Sequence, residues 1–311
     1  MIQIDHVSKT FAGTQALADC TLTIDDGAFF VLIGPSGCGK STLLRTINGL
    51  IAPDTGTIRV RGKDIATEDP ERLRQSIGYV IQSVGLFPHW TVAANIAAVP
   101  QLMRWDKGKI ARRVDEIVAL LRIDPALLPR YPHQLSGGQR QRIGVARALA
   151  AGPDLILMDE PFSALDPVSR VELQAEMRRV HAESKTTIVM VTHDVGEALS
   201  LATTLAIMRA GRIIQIGTPA AVVGAPADDF VAQFLGGPER FLHLLDVLSV
   251  GAAMSAEPPS GAMPRIATSA SLRAALSLMM AEGAQALAVG DGDGASVGTL
   301  RLDAIVAASH A

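Results

Sequence analysis

The sequence predicts an α/β fold built on a buried, mainly parallel sheet, and two observations carry that expectation. Short, continuous apolar runs recur between helix-like segments at βαβ spacing, the pattern of strands covered on both faces. One of these runs, Phe29-Phe30-Val31-Leu32-Ile33, opens directly into Gly34-Pro35-Ser36-Gly37-Cys38-Gly39-Lys40-Ser41. That stretch is a complete G-x-x-x-x-G-K-[ST] loop, and the residues from Thr42 to Ile47 continue it at helical spacing.

In chain order, strand-like segments fall at 2–4, 22–24, 29–33, 57–60, 78–81, 155–158, 187–191, 205–208 and 212–217. Apolar positions at 112–121 follow helical spacing, and 170–182 mixes charges in the manner of a solvated helix face. The organisation changes after Gly236-Gly237-Pro238. A loop rich in Pro, Ala, Ser and Gly at 255–264 then leads into a shorter α/β pattern at 266–308. With 311 residues the chain has room for two domains, expected at 1–240 and 241–311.

Composition narrows the function. A net charge of −3 gives no general basic field for nucleic acid, so no nucleic-acid partner is expected. The 48% hydrophobic content comes largely from dispersed alanine, and no apolar run reaches the ~18 residues of a membrane span. Cys20 and Cys38 stand far apart without metal-ligand neighbours, which suits a reducing cytosol rather than a disulfide scaffold. No secretory signal is visible at the N-terminus.

The loop at 34–41 is built to grip a nucleoside triphosphate. Gly34, Gly37 and Gly39 let the backbone curl so that amides, including those of Pro35's successors Ser36 and Cys38, face a phosphate chain at the positive end of a helix. Lys40 reaches the β- and γ-phosphates, Thr42 continues the lining, and the Ser41 hydroxyl is a ligand for Mg²⁺. Downstream, Leu155-Ile156-Leu157-Met158-Asp159-Glu160 is an apolar strand ending in two carboxylates, a Walker B pattern. Asp159 then serves Mg²⁺, and Glu160 orients or deprotonates the attacking water. Between these motifs, Leu135-Ser136-Gly137-Gly138-Gln139 precedes a helix-like run at 143–151. A serine and bare glycine amides at a helix N-terminus make a second anion-binding surface.

These three motifs, in this order, resemble the nucleotide-binding subunit of an ATP-binding-cassette (ABC) transporter over residues 1–235. The resemblance implies a P-loop cassette with an antiparallel β subdomain and a helical subdomain. It further implies a homodimer in which Ser136, Gly137, Gly138 and Gln139 of one subunit close over ATP bound by the other. Residue by residue, Gln82 matches the Q-loop glutamine that contacts Mg²⁺ or water, and Asp166 in Ser163-Ala164-Leu165-Asp166 matches the D-loop. His193 matches the switch histidine of the γ-phosphate. Phe11 stands where the family usually places an adenine-stacking tyrosine, and a role in the core is its alternative.

The segments 78–89 and 130–134 look most like those of importers of glycine betaine, choline, carnitine and related osmoprotectants. The implied partners are integral-membrane permease subunits and an extracytoplasmic substrate-binding protein, with the chain peripheral on the inner face of the cell membrane. The exposed apolar run Leu86-Phe87-Pro88 would suit docking to the permease. An amino-acid or polyamine importer, or a non-transport ABC switch, is the alternative. Repair members insert long coiled coils and translation members carry two cassettes, and this chain has neither.

At the C-terminus, a helix-like 271–280, strand-like 286–289, a glycine-aspartate turn at 290–294, strand-like 297–300 and a last helix resemble one CBS motif. Against the usual Gly-x-x-Thr-x-x-Asp ribose pattern, Gly298 is followed by Arg301 and Ala304, which argues for packing and dimerisation rather than nucleotide binding.

Overall fold

Residues 1–260, 263–291 and 296–308 are described by the computed structural model. The chain opens with a long hairpin, β1 (Ile2–Phe11) and β2 (Thr14–Ile24), followed by β3 (Phe29–Ile33), helix α1 (Lys40–Ile47), β4 (Thr55–Val60) and the short β5 (Lys63–Asp64). Strands β2, β1, β4 and β5, in that order, form an antiparallel sheet. The hairpin strands extend well past the expected 2–4 and 22–24. Register shifts between Ile4 and Thr10 break the two-residue alternation there, so only one end of each strand reads as apolar.

The chain continues through α2 (Pro70–Gln75), β6 (Ile77–Val80), α3 (Val92–Leu102), α4 (Lys107–Leu120), α5 (Gly137–Leu149), β7 (Leu155–Asp159), α6 (Pro167–Ser184), β8 (Thr187–Thr192), α7 (Val195–Leu201), β9 (Thr204–Arg209) and β10 (Arg212–Gly217). A six-stranded sheet has the order β10-β9-β3-β8-β7-β6, with β9, β3, β8, β7 and β6 pairing in parallel. Every residue of β3, β7 and β8 is buried, which is why these strands read as unbroken apolar runs. Leu43, Leu44 and Ile47 of α1 join Ile4, Phe30 and Val189 in one core, so α1 is packed between the two sheets. The consequence is positional. The sheet order β3-β8-β7 sets the segments that follow these strands side by side at their carboxyl ends, where open α/β sheets bind ligands.

Helices α3, α4 and α5 are inserted between β6 and β7. α4 starts at Lys107 rather than 112, because the Asp106 side chain accepts from the Lys109 amide at 2.8 Å and caps it. α3 has no counterpart in the sequence reading: it carries Pro100 in its interior, a residue that usually signals a break. α5 begins at Gly137, where Ser136-Gly137-Gly138 reads as a helix N-terminus and ahead of the helix-like run at 143–151, since Ser136 and Gln139 close a reciprocal capping box.

Two compact units emerge, 1–197 with 201–214, and 198–200 with 215–311. In the second lie α8 (Pro219–Gly224), α9 (Asp229–Phe234), α10 (Arg240–Val247), α11 (Val250–Ala253), β11 (Arg265–Ala267), α12 (Leu272–Glu282), β12 (Ala286–Gly290), β13 (Ser296–Arg301) and α13 (Leu302–Ala308). β11 runs parallel to β12, and β13 antiparallel to it. Leu245, Leu272, Met279, Leu287 and Ile305 are among its core residues. This unit takes in α8 and α9, ahead of the Gly-Gly-Pro punctuation on which the expected boundary at 240 rests, and α10 packs on both α8 and α12. Most of the glycine-aspartate turn at 290–294 lies outside the described residues. Among the described residues no helix is long and apolar enough to cross a membrane.

Candidate active site

The loop after β3 leads into α1 through Gly39, which takes φ 110° with no side-chain cap, leaving the first amides of α1 without intrahelical partners. A Cβ at Gly39 would lie 2.3 Å from the Ala16 carbonyl oxygen, so only glycine fits where β2 abuts the loop. Lys40 is buried, and its ammonium donates to the carbonyls of Gly34 at 2.7 Å and Pro35 at 3.0 Å, spanning the loop it belongs to. Pro35, Ser36 and Gly37 are exposed on the rim; Ser41 and Thr42 follow in the first turn of α1. Burial raises the Cys38 thiol above its usual range despite nearby Lys40, which favours the unreactive thiol form.

Across the sheet, the Ser41 hydroxyl donates to Asp159 at 2.7 Å. The other Asp159 oxygen accepts from Arg45 at 3.1 Å. The Tyr79 phenol neighbours Arg45, raises that guanidinium above its usual range, and is itself pushed up chiefly by burial. Neither Arg45 nor Tyr79 featured in the sequence reading. The signal for Arg45 was its spacing, four residues after Ser41 and therefore on the same helix face.

Immediately after β7, Glu160 adopts φ 45°, a left-handed conformation unusual for a glutamate, and its amide donates to Val191 on β8 at 3.0 Å. Its carboxylate is largely buried while His193 is half-exposed. One oxygen lies 3.2 Å from His193 Nδ1, and the other accepts from the Gln82 amide at 2.9 Å. Three residues widely separated in sequence thus meet at one carboxylate. The conformation of Glu160 also turns the chain so that Ser163 donates back to its carbonyl at 3.0 Å, starting the segment that ends in Asp166.

Asp166 caps α6, accepting from the Val168 and Ser169 amides at 3.1 and 3.0 Å, with hydrogen bonds from Ser169 holding its carboxyl below the usual carboxylate range. Ser136 caps α5: its hydroxyl accepts from the Gln139 amide at 3.2 Å, and the Gln139 side chain accepts from the Ser136 amide at 2.9 Å. Gln139 is thereby committed to the cap, leaving Ser136 exposed with Gly137 and Gly138 at the helix start. Phe11 is exposed at the end of β1, outside the core, with the Lys9 ammonium 5.4 Å from its ring centroid. Asp54 organises this tip, accepting from Lys9 at 2.6 Å and from the Thr10 amide at 2.7 Å. Its pairing partner was invisible in sequence because Lys9 and Asp54 stand 45 residues apart.

The donor set suits Mg²⁺. That ion takes few protein oxygens and completes its shell with water and phosphate, and the Ser41 hydroxyl and Asp159 carboxylate already stand together. Among the described residues no cluster of three or more His, Cys, Asp or Glu that could hold a metal ion is found.

A phosphate loop after β3, paired carboxylates at the end of β7 and a histidine after β8 define a P-loop ATPase of the cassette type. The chain belongs to the ABC transporter family, whose model, described as ABC transporter, matches residues 17–163. It is 50% identical over 300 residues to the glycine betaine uptake system ATP-binding protein YehX of Escherichia coli, covering 96% of this chain and 97% of that protein. To the carnitine transport ATP-binding protein OpuCA of Listeria monocytogenes it is 46% identical, over 94% of this chain and 72% of the relative. Its fold is similar to the dimeric structure of the ATP-binding cassette MJ0796 bound to ADP and phosphate, with a TM-score of 0.65 and 29% identity over 70% of this chain and 99% of that one.

Proposed function

We propose that the chain is the ATP-hydrolysing subunit of an importer for a quaternary-amine osmoprotectant such as glycine betaine, choline or carnitine. The placement of Glu160 between Gln82 and His193 carries the reading of a working hydrolase, and the relatives' names support the cargo class. Mg²⁺, held by Ser41, Asp159 and Gln82, would supply charge neutralisation at the β- and γ-phosphates. Lys40 exchanges its loop carbonyls for phosphate oxygens, Glu160 aligns the attacking water and takes its proton, and His193 donates toward the γ-phosphate. Phe11 stacks on adenine. Two chains form a homodimer in which Ser136, Gly137 and Gly138 of one subunit complete the phosphate site of the other, with Asp166 at the crossing. The dimer works on the inner face of the membrane beneath permease subunits supplied by an extracytoplasmic binding protein. The exposed Phe87 and Trp90, tilted against each other with ring centroids 4.6 Å apart, offer the permease an aromatic seat.

Uptake of labelled glycine betaine, choline and carnitine, against an amino acid and a polyamine, by cells carrying this subunit with its permease tests the cargo. Uptake of the amino acid or polyamine alone would assign the other importer class. Geometry is tested by mixing. A Lys40→Ala chain combined with a Ser136→Ala chain should regain hydrolysis at one intact site, whereas complete inactivity of the mixture would place both residues in one subunit's site.

For the second unit, the order α12-β12-β13-α13 supports a CBS-like module that pairs across the homodimer. Met280 on α12 and Val306 on α13 are exposed apolar residues suited to such pairing. Arg273 is held by both oxygens of Asp246 and the Leu242 carbonyl; Arg301 lies 3.4 Å from Asp303. Such exposed pairs weaken with salt. Met280→Lys should lower self-association by light scattering; unaltered association would remove this face from the interface.

A further inference from the structure

Helix α5 carries Ser136 at its start and Arg147 about three turns further along. The Arg147 guanidinium donates through Nη1 to the Gly85 carbonyl at 2.7 Å and through Nη2 to the Val84 carbonyl at 3.1 Å. Its carbon also lies 5.7 Å from the Phe87 ring centroid. One planar fork therefore holds two consecutive carbonyls, a task that the single ammonium of lysine cannot reproduce. Val84 has φ 63°, a conformation a β-branched residue keeps only when its surroundings impose it. The helix backbone comes close to the same residue: a Cβ added at Gly144, one turn before Arg147, would lie 3.3 Å from Val84 Cγ1.

The loop is tight on its other side as well. The Val84 amide donates to Ile81 at 3.1 Å and the Gly85 amide to Ser83 at 2.7 Å, so Gln82 sits inside a closed turn. From that turn its side chain reaches Glu160 at 2.9 Å. An unbroken set of contacts runs from α5 through Arg147 and the two carbonyls to Gln82 and the carboxylate after β7.

We propose that Arg147 is a positioning residue for ATP hydrolysis: by gripping the Val84 and Gly85 carbonyls it makes the turn that bears Gln82 move as one body with α5 and its Ser136 cap. Held to α5 in this way, Gln82 keeps its 2.9 Å contact with Glu160 as the helix moves. This rests on the role given to Glu160 above. Displacement of a catalytic arrangement by about 1 Å can lower turnover as much as 100-fold, which gives the link its leverage.

The test is a double-mutant cycle in the full-length protein, reading kcat and KM for ATP together with melting temperature. Arg147→Met should lower kcat about 10-fold or more with KM changed less than about twofold. In a Gln82→Ala background the same substitution should lower kcat by less than about twofold further, because Arg147 acts through Gln82. Arg147→Lys should restore only part of the loss. Multiplicative losses in the double variant, or a wild-type kcat for Arg147→Met, would overturn the proposal. Should Arg147→Met fail to fold, Gly144→Ala and Arg147→Lys decide: both should lower kcat without raising KM, and a wild-type kcat in both overturns it. Glu160→Gln separates the two levels. If it abolishes hydrolysis while Arg147→Met does not lower it, only the positioning role fails; if Glu160→Gln hydrolyses normally, the catalytic assignment itself fails.

Discussion

Replacing Asn95 by alanine should destabilise the first unit by about 2–3 kcal/mol, a value that follows from the bonds this one side chain makes. Asn95 is fully buried at the second turn of α3. Its Oδ1 accepts from the Phe87 amide at 2.8 Å, while Nδ2 donates to the carbonyls of Phe87 at 3.2 Å, Trp90 at 3.2 Å and Thr91 at 3.0 Å. Two of these carbonyls keep a partner without it, because Phe87 also accepts from the Trp90 amide and Thr91 from the Asn95 amide. The Phe87 amide and the Trp90 carbonyl are the two groups left without another hydrogen bond. At about 1–3 kcal/mol for each unsatisfied buried group the range is about 2–6 kcal/mol. The exposure of Phe87 and Trp90 lets water reach the loop and selects the lower part. With about 2–4 °C per kcal/mol for domains of this size, melting should fall by about 4–12 °C. Thermal and urea unfolding of wild type, Asn95→Ala and Asn95→Asp measure it. Aspartate keeps the acceptor but faces carbonyls with an anion, so it should lose at least as much. A loss under about 0.5 kcal/mol for alanine would refute the reasoning, showing that the loop holds its shape without the staple.

Glu160→Gln should retain ATP binding and lose about 10²–10⁴-fold in kcat, with bound nucleotide and steady-state hydrolysis measured side by side. Gly39→Ala should abolish nucleotide binding and lower melting, since its methyl would meet the Ala16 carbonyl at 2.3 Å in a φ 110° conformation; nucleotide titration and calorimetry check both. Asp54 has its carboxyl lowered first by the Lys9 hydrogen bond, then by the Thr10 amide. Its contribution is therefore present above the unfolded pKa and lost as pH falls through the lower folded value, so urea midpoints of Asp54→Asn should lose part of the wild type's decline on the acid side.

The parts of the site readable in sequence are those whose chemistry lies in contiguous residues. The loop from Gly34 to Ser41, the Asp159-Glu160 pair and the Ser136-Gly137-Gly138 turn each state their own geometry, and strands β3, β7 and β8 announce themselves by being buried on both faces. Gln82 and His193 are single residues with no local signature, and only family resemblance drew attention to them. Asn95 and Arg147 were missed because their partners are backbone atoms on loops, and backbone atoms leave no residue type to recognise. The hairpin was half-read for a different reason: its register shifts interrupt the alternation on which strand reading depends. Helix α3 was hidden by Pro100, whose local preference is overruled by packing.

The left-handed backbone of Glu160 has a consequence for anyone who would improve this protein. A conformation of that kind in a residue other than glycine stores about 1–3 kcal/mol, and glycine or asparagine at the same place would release much of it. A laboratory selection for heat resistance alone would therefore enrich such replacements and with them a hardier, idle molecule. On the role proposed for Glu160, thermal tolerance and turnover are set against each other at this one peptide unit, so a screen that does not score ATP consumption in every round will drift toward the wrong winner.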